Sequence, residues 1–338
     1  LLSALAEVPE RVAFPVGRKV FVEGLLGSRD AYHLLRPFLP WGQLLEEYLG
    51  QWLAERGVVI HRKTPVRQIR AEHRDVQTLV LRDGSEKRFD FYILAVPWRQ
   101  AAGLICPAIR EAIPHLVRAA NWPAGAITTW HVWFDRPITP LAQTAVVGKG
   151  IQWVFAGVKG SEGGYGILPS RSPEDAKWTS LSGEPRHGGS PSPTSSGRGN
   201  FLASHLNPQE CICRFPQKTD QQVHYYQVVV SASHALAPPS VPQTLQDLVA
   251  ELRDIFPAAK EAQVLAFRRV KMPEAVFSPQ QAVESSRPGQ KTPLKNLALA
   301  GDWTATGWPA TMESAVRSGY QAAQVVLDQI QAPISLGC

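Results

Sequence analysis

Residues 296–327, NLALAGDWTATGWPATMESAVRSGYQAAQVVL, decide the fold. Asn296 to Ala300 is a short, uncharged, apolar run, the pattern of a buried strand. Gly301 to Pro309 is a turn of small and hydroxyl residues. From Ala310 onward a helix is expected, with Met312, Ala315, Val316, Gly319, Tyr320, Ala323 and Val326 along one face. Asp302 therefore stands at the tip of a buried strand, directly ahead of a helix start.

In open α/β folds, ligands bind outside the carboxyl ends of strands. A carboxylate there accepts hydrogen bonds from ligand hydroxyls, and the helix start adds unpaired N–H groups. The corner suits a polyhydroxylated, electron-accepting ligand, and reduced flavin has the group that gains negative charge. The alternative is structural: Asp302, Thr304 or Thr306 does no more than cap the helix.

Outward from this stretch, strands and helices are mixed, which gives an α/β or α+β class. WGQLLEEYLGQWLAER (41–56) places Leu44, Leu45, Tyr48, Leu49, Trp52 and Leu53 at helical spacing, with Gly57 as its stop. VVIH (58–61) is expected as a strand, VRQIRAE as a second extended piece, then a hairpin around Asp83-Gly84 and a buried strand Phe91–Val96. Residues 101–119 are expected to be partly helical with a break near Pro114. TTWHVWFDRP alternates Trp130, Val132 and Phe134 against Thr129, His131 and Trp133, and IQWVFA (151–156) is its expected neighbour. Residues 157–220 are dense in Gly, Pro and Ser, the composition of a disordered insertion. The glycines there lack the spacing and following helix of a phosphate loop. Order returns with strand 224–233, helix 244–256 and the extended segment 264–277; RPGQKTP (287–293) is a connector.

The 338 residues carry a net charge of +6, a hydrophobic fraction of 44% and ten Trp. The basic residues are scattered, so nucleic-acid binding is not expected. Cys106, Cys211, Cys213 and Cys338 have no C-x-x-C spacing, so neither a metal site nor a disulfide framework is expected, and a reducing compartment is. The longest apolar runs fall well below the ~18 residues of a membrane span. Asp135-Arg136 is expected to stabilise a turn, and His131 and His224 to be structural. The chain begins at Leu1 in the middle of a pattern, which suggests processing or a fragment.

AGDWTATGWPATMESAVRSG resembles the C-terminal flavin motif of the amine-oxidase and phytoene-desaturase superfamily, and is especially similar to the hydroxysqualene dehydroxylases. WGQLLEEYLGQWLAERGVVIHRKTPVRQI, FDFYILAVPWRQAAGLI, WHVWFDRPIT with IQWVFA, and YQVVVSASHAL with AELRDIFPAAKEA resemble the same branch in order. The resemblance implies FAD as cofactor. It places Asp302 on the ribityl chain, Gly301 at a close backbone approach, and Ala310, Thr311 and Met312 as helix-start amides at the flavin edge. Val66, in the T-x-V-x-x-I pattern, would contact the adenine, and Ala95 would lie in the strand passing the dinucleotide. Trp303 and Trp308 are candidates for the wall of a substrate channel. No catalytic residue and no electron donor is named by any pattern.

The implied architecture is α/β: a discontinuous FAD-binding Rossmann-like domain with an inserted α+β substrate domain. The family's strand–GxGxxG–helix unit does not occur in 1–338, so the chain reads as N-terminally incomplete. The expected division is 1–40 substrate domain, 41–100 FAD domain, 101–156 substrate domain, 157–220 insertion, 221–293 substrate domain and 294–332 FAD domain. The implied substrate is a lipophilic isoprenoid, reductively dehydroxylated from hydroxysqualene to squalene. The alternatives are carotenoid desaturation, amine oxidation or a non-catalytic remnant. A cytoplasmic location with peripheral contact to the membrane's inner face is expected.

Overall fold

The computed structural model describes residues 2–31, 33, 37, 39, 41–157, 211–213, 223–236 and 241–331. They form two compact units. Unit 1 comprises Leu1–Ala126, Ser231–Ala235 and Pro273–Cys338; unit 2 comprises Ile127–Val230 and Leu236–Met272.

Unit 1 opens with α1 (Leu2–Leu5) and α2 (Phe14–Lys19), the latter continued by a π-helical turn, Val20–Leu25. Next come α3 (Trp41–Gln43), a π-helical stretch, Leu44–Leu49, and α4 (Gly50–Ala54). The helix expected over 41–56 thus forms. Gly57 ends it at φ +75, with Gly57 N–H bonded to Ala54 O and Val58 N–H to Leu53 O, the paired bonds of a Schellman cap. Its apolar face is not covered: Leu45, Tyr48, Leu49 and Trp52 are exposed. VVIH is not a strand, because Val58 is spent on the cap and Val58–Ile60 lie exposed.

β1 (Val66–Glu72), β2 (Asp75–Leu81) and β3 (Glu86–Lys87) form an antiparallel sheet. Its Asp83-Gly84 turn is held by the Asp83 carboxylate, which accepts from Ser85 N–H and Oγ. β4 (Tyr92–Leu94) leads into α5 (Trp98–Leu104), α6 (Pro107–Ala112) and α7 (Pro114–Ala119), with the expected break at Ile113-Pro114. Residues 1–31 and 101–126, expected in the substrate domain, cluster with unit 1 instead. For α5–α7 the reason is packing: Ala101, Ile109 and Leu116 fill the core that also holds Ile69, Leu94, Leu297 and Trp303.

Unit 2 is built on most of β5 (Ala124–Phe134), β6 (Gln143–Ala145), β7 (Trp153–Ala156), β8 (Cys211–Cys213), most of β9 (His224–Ser231), α8 (Leu245–Ile255) and most of β10 (Val264–Phe277). The sheet order is β6-β7-β9-β5-β10-β8. β9 therefore stands between β7 and β5, which the sequence reading had made neighbours. One face carries Trp130, Val132, Phe134, Val154, Tyr226 and Val228 against Leu248 and Leu252 of α8. Thr244 and Asp247 start α8 with a capping box. Most of the expected insertion lies outside the described residues. Within it, Gly157 N–H bonds Tyr225 O, and Cys211–Cys213 pairs antiparallel with β10 rather than standing loose.

The chain returns to unit 1 through α9 (Gln281–Glu284), β11 (Leu297–Leu299) and α10 (Met312–Gln331). Residues 273–293 thus also belong to this unit, with Phe277 and Val283 in its core. β11 pairs parallel with β4: Leu297 opposite Tyr92, Ala298 opposite Ile93, Leu299 opposite Leu94. The buried face of α10 is not its most apolar one. Ser314, Ser318 and Ala322 are buried at i, i+4 and i+8, whereas Met312, Val316 and Tyr320 are 67%, 56% and 75% exposed. Small side chains bring the helix close to Ala298 and Ala300, and the serine hydroxyls serve the preceding turn. No helix among the described residues is long and apolar enough to cross a membrane.

Candidate functional site

Parallel pairing of β4 and β11 sets their carboxyl ends side by side, so Ala95 and Gly301-Asp302 are brought together. Ala300 N–H bonds Leu94 O, and Trp303 Nε1 donates to Val96 O at 2.8 Å. Ala95 is exposed and Asp302 half-buried at this edge. Val66 is not part of this corner: it begins β1 in the separate three-stranded sheet, opposite Leu81.

The turn 301–309 is held by side chains beneath it. Gly301 N–H donates to Ser318 Oγ at 2.7 Å, Gln290 Nε2 to Thr304 Oγ1 at 3.0 Å, and Ser314 Oγ to Asp302 O at 3.1 Å. Thr306 Oγ1 and Ser314 Oγ share a hydrogen bond at 2.6 Å. Gly301 has φ +133, and a Cβ there would lie 2.3 Å from Trp303 Nε1. The glycine is thus required by the packed indole, whether or not a ligand approaches.

Thr311 caps α10 by accepting from Ser314 N–H at 3.2 Å. Asp302 does not cap it, and the helix-start amides begin at Met312. Ala310 precedes the helix and packs on the core. Trp303 is fully buried in that core, so its indole walls no channel. Trp308 is half-buried, with the Lys19 ammonium 4.9 Å and the Arg317 guanidinium 4.8 Å from its ring centroid.

Asp302 is the electrostatic centre of the corner. Burial pushes its pKa up; the Arg287 guanidinium and the N–H groups of Asp302 and Trp303 pull the other way. The fold therefore keeps a carboxyl where it is partly desolvated and propped from below by donors. That fits the hydroxyl-bearing chain of a flavin dinucleotide, which donates to such a carboxylate. Arg287, Gln290, Ser314 and Ser318 were not singled out from the sequence. The only signal was the i, i+4 spacing of two serines on a helix face.

In unit 2, a cavity of about 580 Å³ is lined by Gly148, Lys149, Asp247, Glu251 and Asp254. Its carboxylates are engaged: Asp247 in the α8 cap, Glu251 by Gly150 and Ile151 N–H, Asp254 by Lys149. It suits no apolar chain. Among the described residues no group of His, Cys, Asp and Glu is placed to hold a metal.

His131, expected to be structural, bonds Tyr225 Oη through Nδ1 at 2.6 Å and stacks on its ring. Burial, then Arg268, lowers the His131 pKa, and burial pushes Tyr225 up to about 12. A histidine whose folded pKa is depressed contributes stability above its unfolded value near 6.5. That stability is lost as pH falls through the folded pKa. His131→Phe should therefore flatten the acid limb of unit 2 melting below about pH 6.5; an unchanged limb would assign the acid sensitivity elsewhere. Asp135 and Arg136 pair at 3.3 Å, and Asp135 also accepts from Gln263 N–H, which ties the end of β5 to the segment ahead of β10.

Residues 42–327 match the model of the flavin containing amine oxidoreductases, and the chain belongs to that family. It is 53% identical over 55 residues to a hydroxysqualene dehydroxylase of Sinorhizobium fredii, covering 16% of this chain and 13% of that protein. It is 46% identical over 70 residues to that of Rhodopseudomonas palustris, covering 21% and 17%. A 15-cis-phytoene desaturase of Glycine max matches at 23% identity over 257 residues, 75% of this chain and 36% of that one. Among solved structures, an oxidoreductase from Methanosarcina mazei superposes with a TM-score of 0.48 at 15% identity, over 82% of this chain and 52% of that one. The chain thus spans about half of that structure and matches a smaller share of the named enzymes.

Proposed function

We propose that the protein is an FAD-dependent oxidoreductase that reductively dehydroxylates hydroxysqualene to squalene. The observation that carries the reading is the Asp302 corner: a propped, half-buried carboxylate at the joined ends of two parallel strands, beside the start of α10. Support for the substrate comes from the two hydroxysqualene dehydroxylases, which are similar over short stretches.

In this reading Asp302 would accept from the ribityl hydroxyls, the Met312 N–H at the start of α10 would serve the flavin ring, and Ala95 at the open strand end would leave room for the dinucleotide. Flavin, when bound, supplies two-electron redox chemistry. The reaction balances as the isoprenoid alcohol plus a hydride equivalent and a proton giving the hydrocarbon and water. The chain's tasks are to orient the cofactor and exclude water from the reacting carbon.

A second reading, carotenoid desaturation, is favoured by the phytoene desaturase match, which covers 75% of the chain. It runs the electron flow the other way. The test uses the full-length protein. It should purify yellow, and after reduction under anaerobic conditions it should convert hydroxysqualene to squalene. A folded, colourless protein that takes up no FAD would sink both readings. A flavin-loaded protein that leaves hydroxysqualene intact and desaturates phytoene would select the second.

A further inference from the structure

Arg287 opens the RPGQKTP connector, and its side chain is 3% exposed. Its Nη2 donates to Asp302 O at 2.7 Å and Thr304 O at 2.6 Å; its Nη1 donates to Trp308 O and to Glu284 Oε2, both at 2.8 Å. Three carbonyls of the turn after β11 thus converge on one buried cation. The guanidinium carbon lies 5.3 Å from the Phe277 ring centroid, which fixes the fork from the core side.

This arrangement controls more than the path of the chain. A trans peptide is planar, so its C=O and N–H point in opposite directions. Drawing the Asp302 carbonyl down onto Arg287 therefore turns the Trp303 N–H to the opposite side of that peptide. The same cation opposes the burial that disfavours the ionised carboxylate. We propose that Arg287 is a positioning residue for the cofactor carboxylate: its fork gathers the carbonyls of residues 302, 304 and 308 and sets the peptide plane from which Asp302 presents its side chain to ligand hydroxyls. The assignment to a cofactor rests on the flavin reading above.

Arg287 and its partner Glu284 lie on the connector side, Glu313 and Arg317 on α10 pair with each other at 2.6 Å, and Lys19 sits over the Trp308 ring. Two substitutions separate positioning from mere support. Lysine keeps a charge but cannot serve three carbonyls in a plane. Arg287→Lys should weaken FAD binding about tenfold or more and move the Asp302 titration, read by carboxyl-carbon NMR of the flavin-free protein, to higher pH. Glu284→Gln keeps the fork and removes its counter-charge. It should move that titration to lower pH and leave FAD affinity equal or tighter.

A folded Arg287→Lys protein that binds FAD within about twofold of wild type, or an Asp302 titration that does not move, overturns the proposal. Should Arg287→Lys not fold, Glu284→Gln decides alone: FAD binding weakened in step with melting temperature means support only. The flavin reading fails separately, if Asp302→Asn binds FAD like wild type. The Asp302 titration in flavin-free protein still tests Arg287 in that event.

Discussion

Gly301→Ala should lower the stability of unit 1 by roughly 3 kcal/mol or more, by combining backbone strain with a core clash. The residue sits at φ +133, a conformation that side chains rarely adopt. Its new Cβ would lie 2.3 Å from Nε1 and 2.7 Å from Cδ1 of Trp303. Trp303 cannot yield cheaply, because it is fully buried and its Nε1 serves Val96 O. A fall in melting temperature on the order of 10 °C follows for a unit of this size, with loss of flavin from the purified protein. Gly307→Ala is the control. Gly307 has φ +75 and open space around its Cβ position, so it should lose only the ~1–2 kcal/mol of left-handed strain. Equal losses at the two glycines would mean that the Trp303 contact does not matter.

Asp302→Asn should move binding and stability in opposite directions. Burial raises the folded pKa of Asp302 above its ordinary 3.8. A group shifted that way contributes stability below its unfolded pKa, and loses it as pH rises through the folded pKa. At neutral pH the ionised carboxylate therefore costs the flavin-free protein stability. Asparagine removes that cost, so the flavin-free variant should melt higher than wild type at pH 7, and the two should converge below about pH 3.8. FAD affinity should fall by about 10- to 100-fold, the size of a charge-assisted hydrogen bond to a buried group. Melting curves at both pH values and a flavin titration check the pair of effects. A variant less stable than wild type at pH 7 would show that the carboxylate serves the fold rather than a ligand.

Much of the fold was legible because its signals are local. The Asp83-Gly84 hairpin, the break at Pro114, the Gly57 stop and the 224–233 and 264–277 strands each follow from a few neighbouring residues. VVIH failed because strand formation needs a partner, and the Schellman cap took Val58 first. β9 intervened between β7 and β5 because sheet order is a property of pairing across long separations. The buried face of α10 was not legible for a related reason. Periodicity reports which residues are apolar, whereas close approach to β11 selects small ones, Ser314, Ser318 and Ala322.

The sequence by itself determined that a carboxylate follows a buried strand and precedes a helix, since strand, turn and helix are written consecutively in 296–327. Only the tertiary structure decided what that carboxylate experiences. Parallel pairing set Ala95 beside it, and Trp303 turned inward to the core rather than out to a channel. Arg287, fifteen residues upstream, gathered the turn's carbonyls, that of Asp302 among them. Such contacts join residues distant in sequence through buried polar groups that must find partners, and no local pattern records which partner they find.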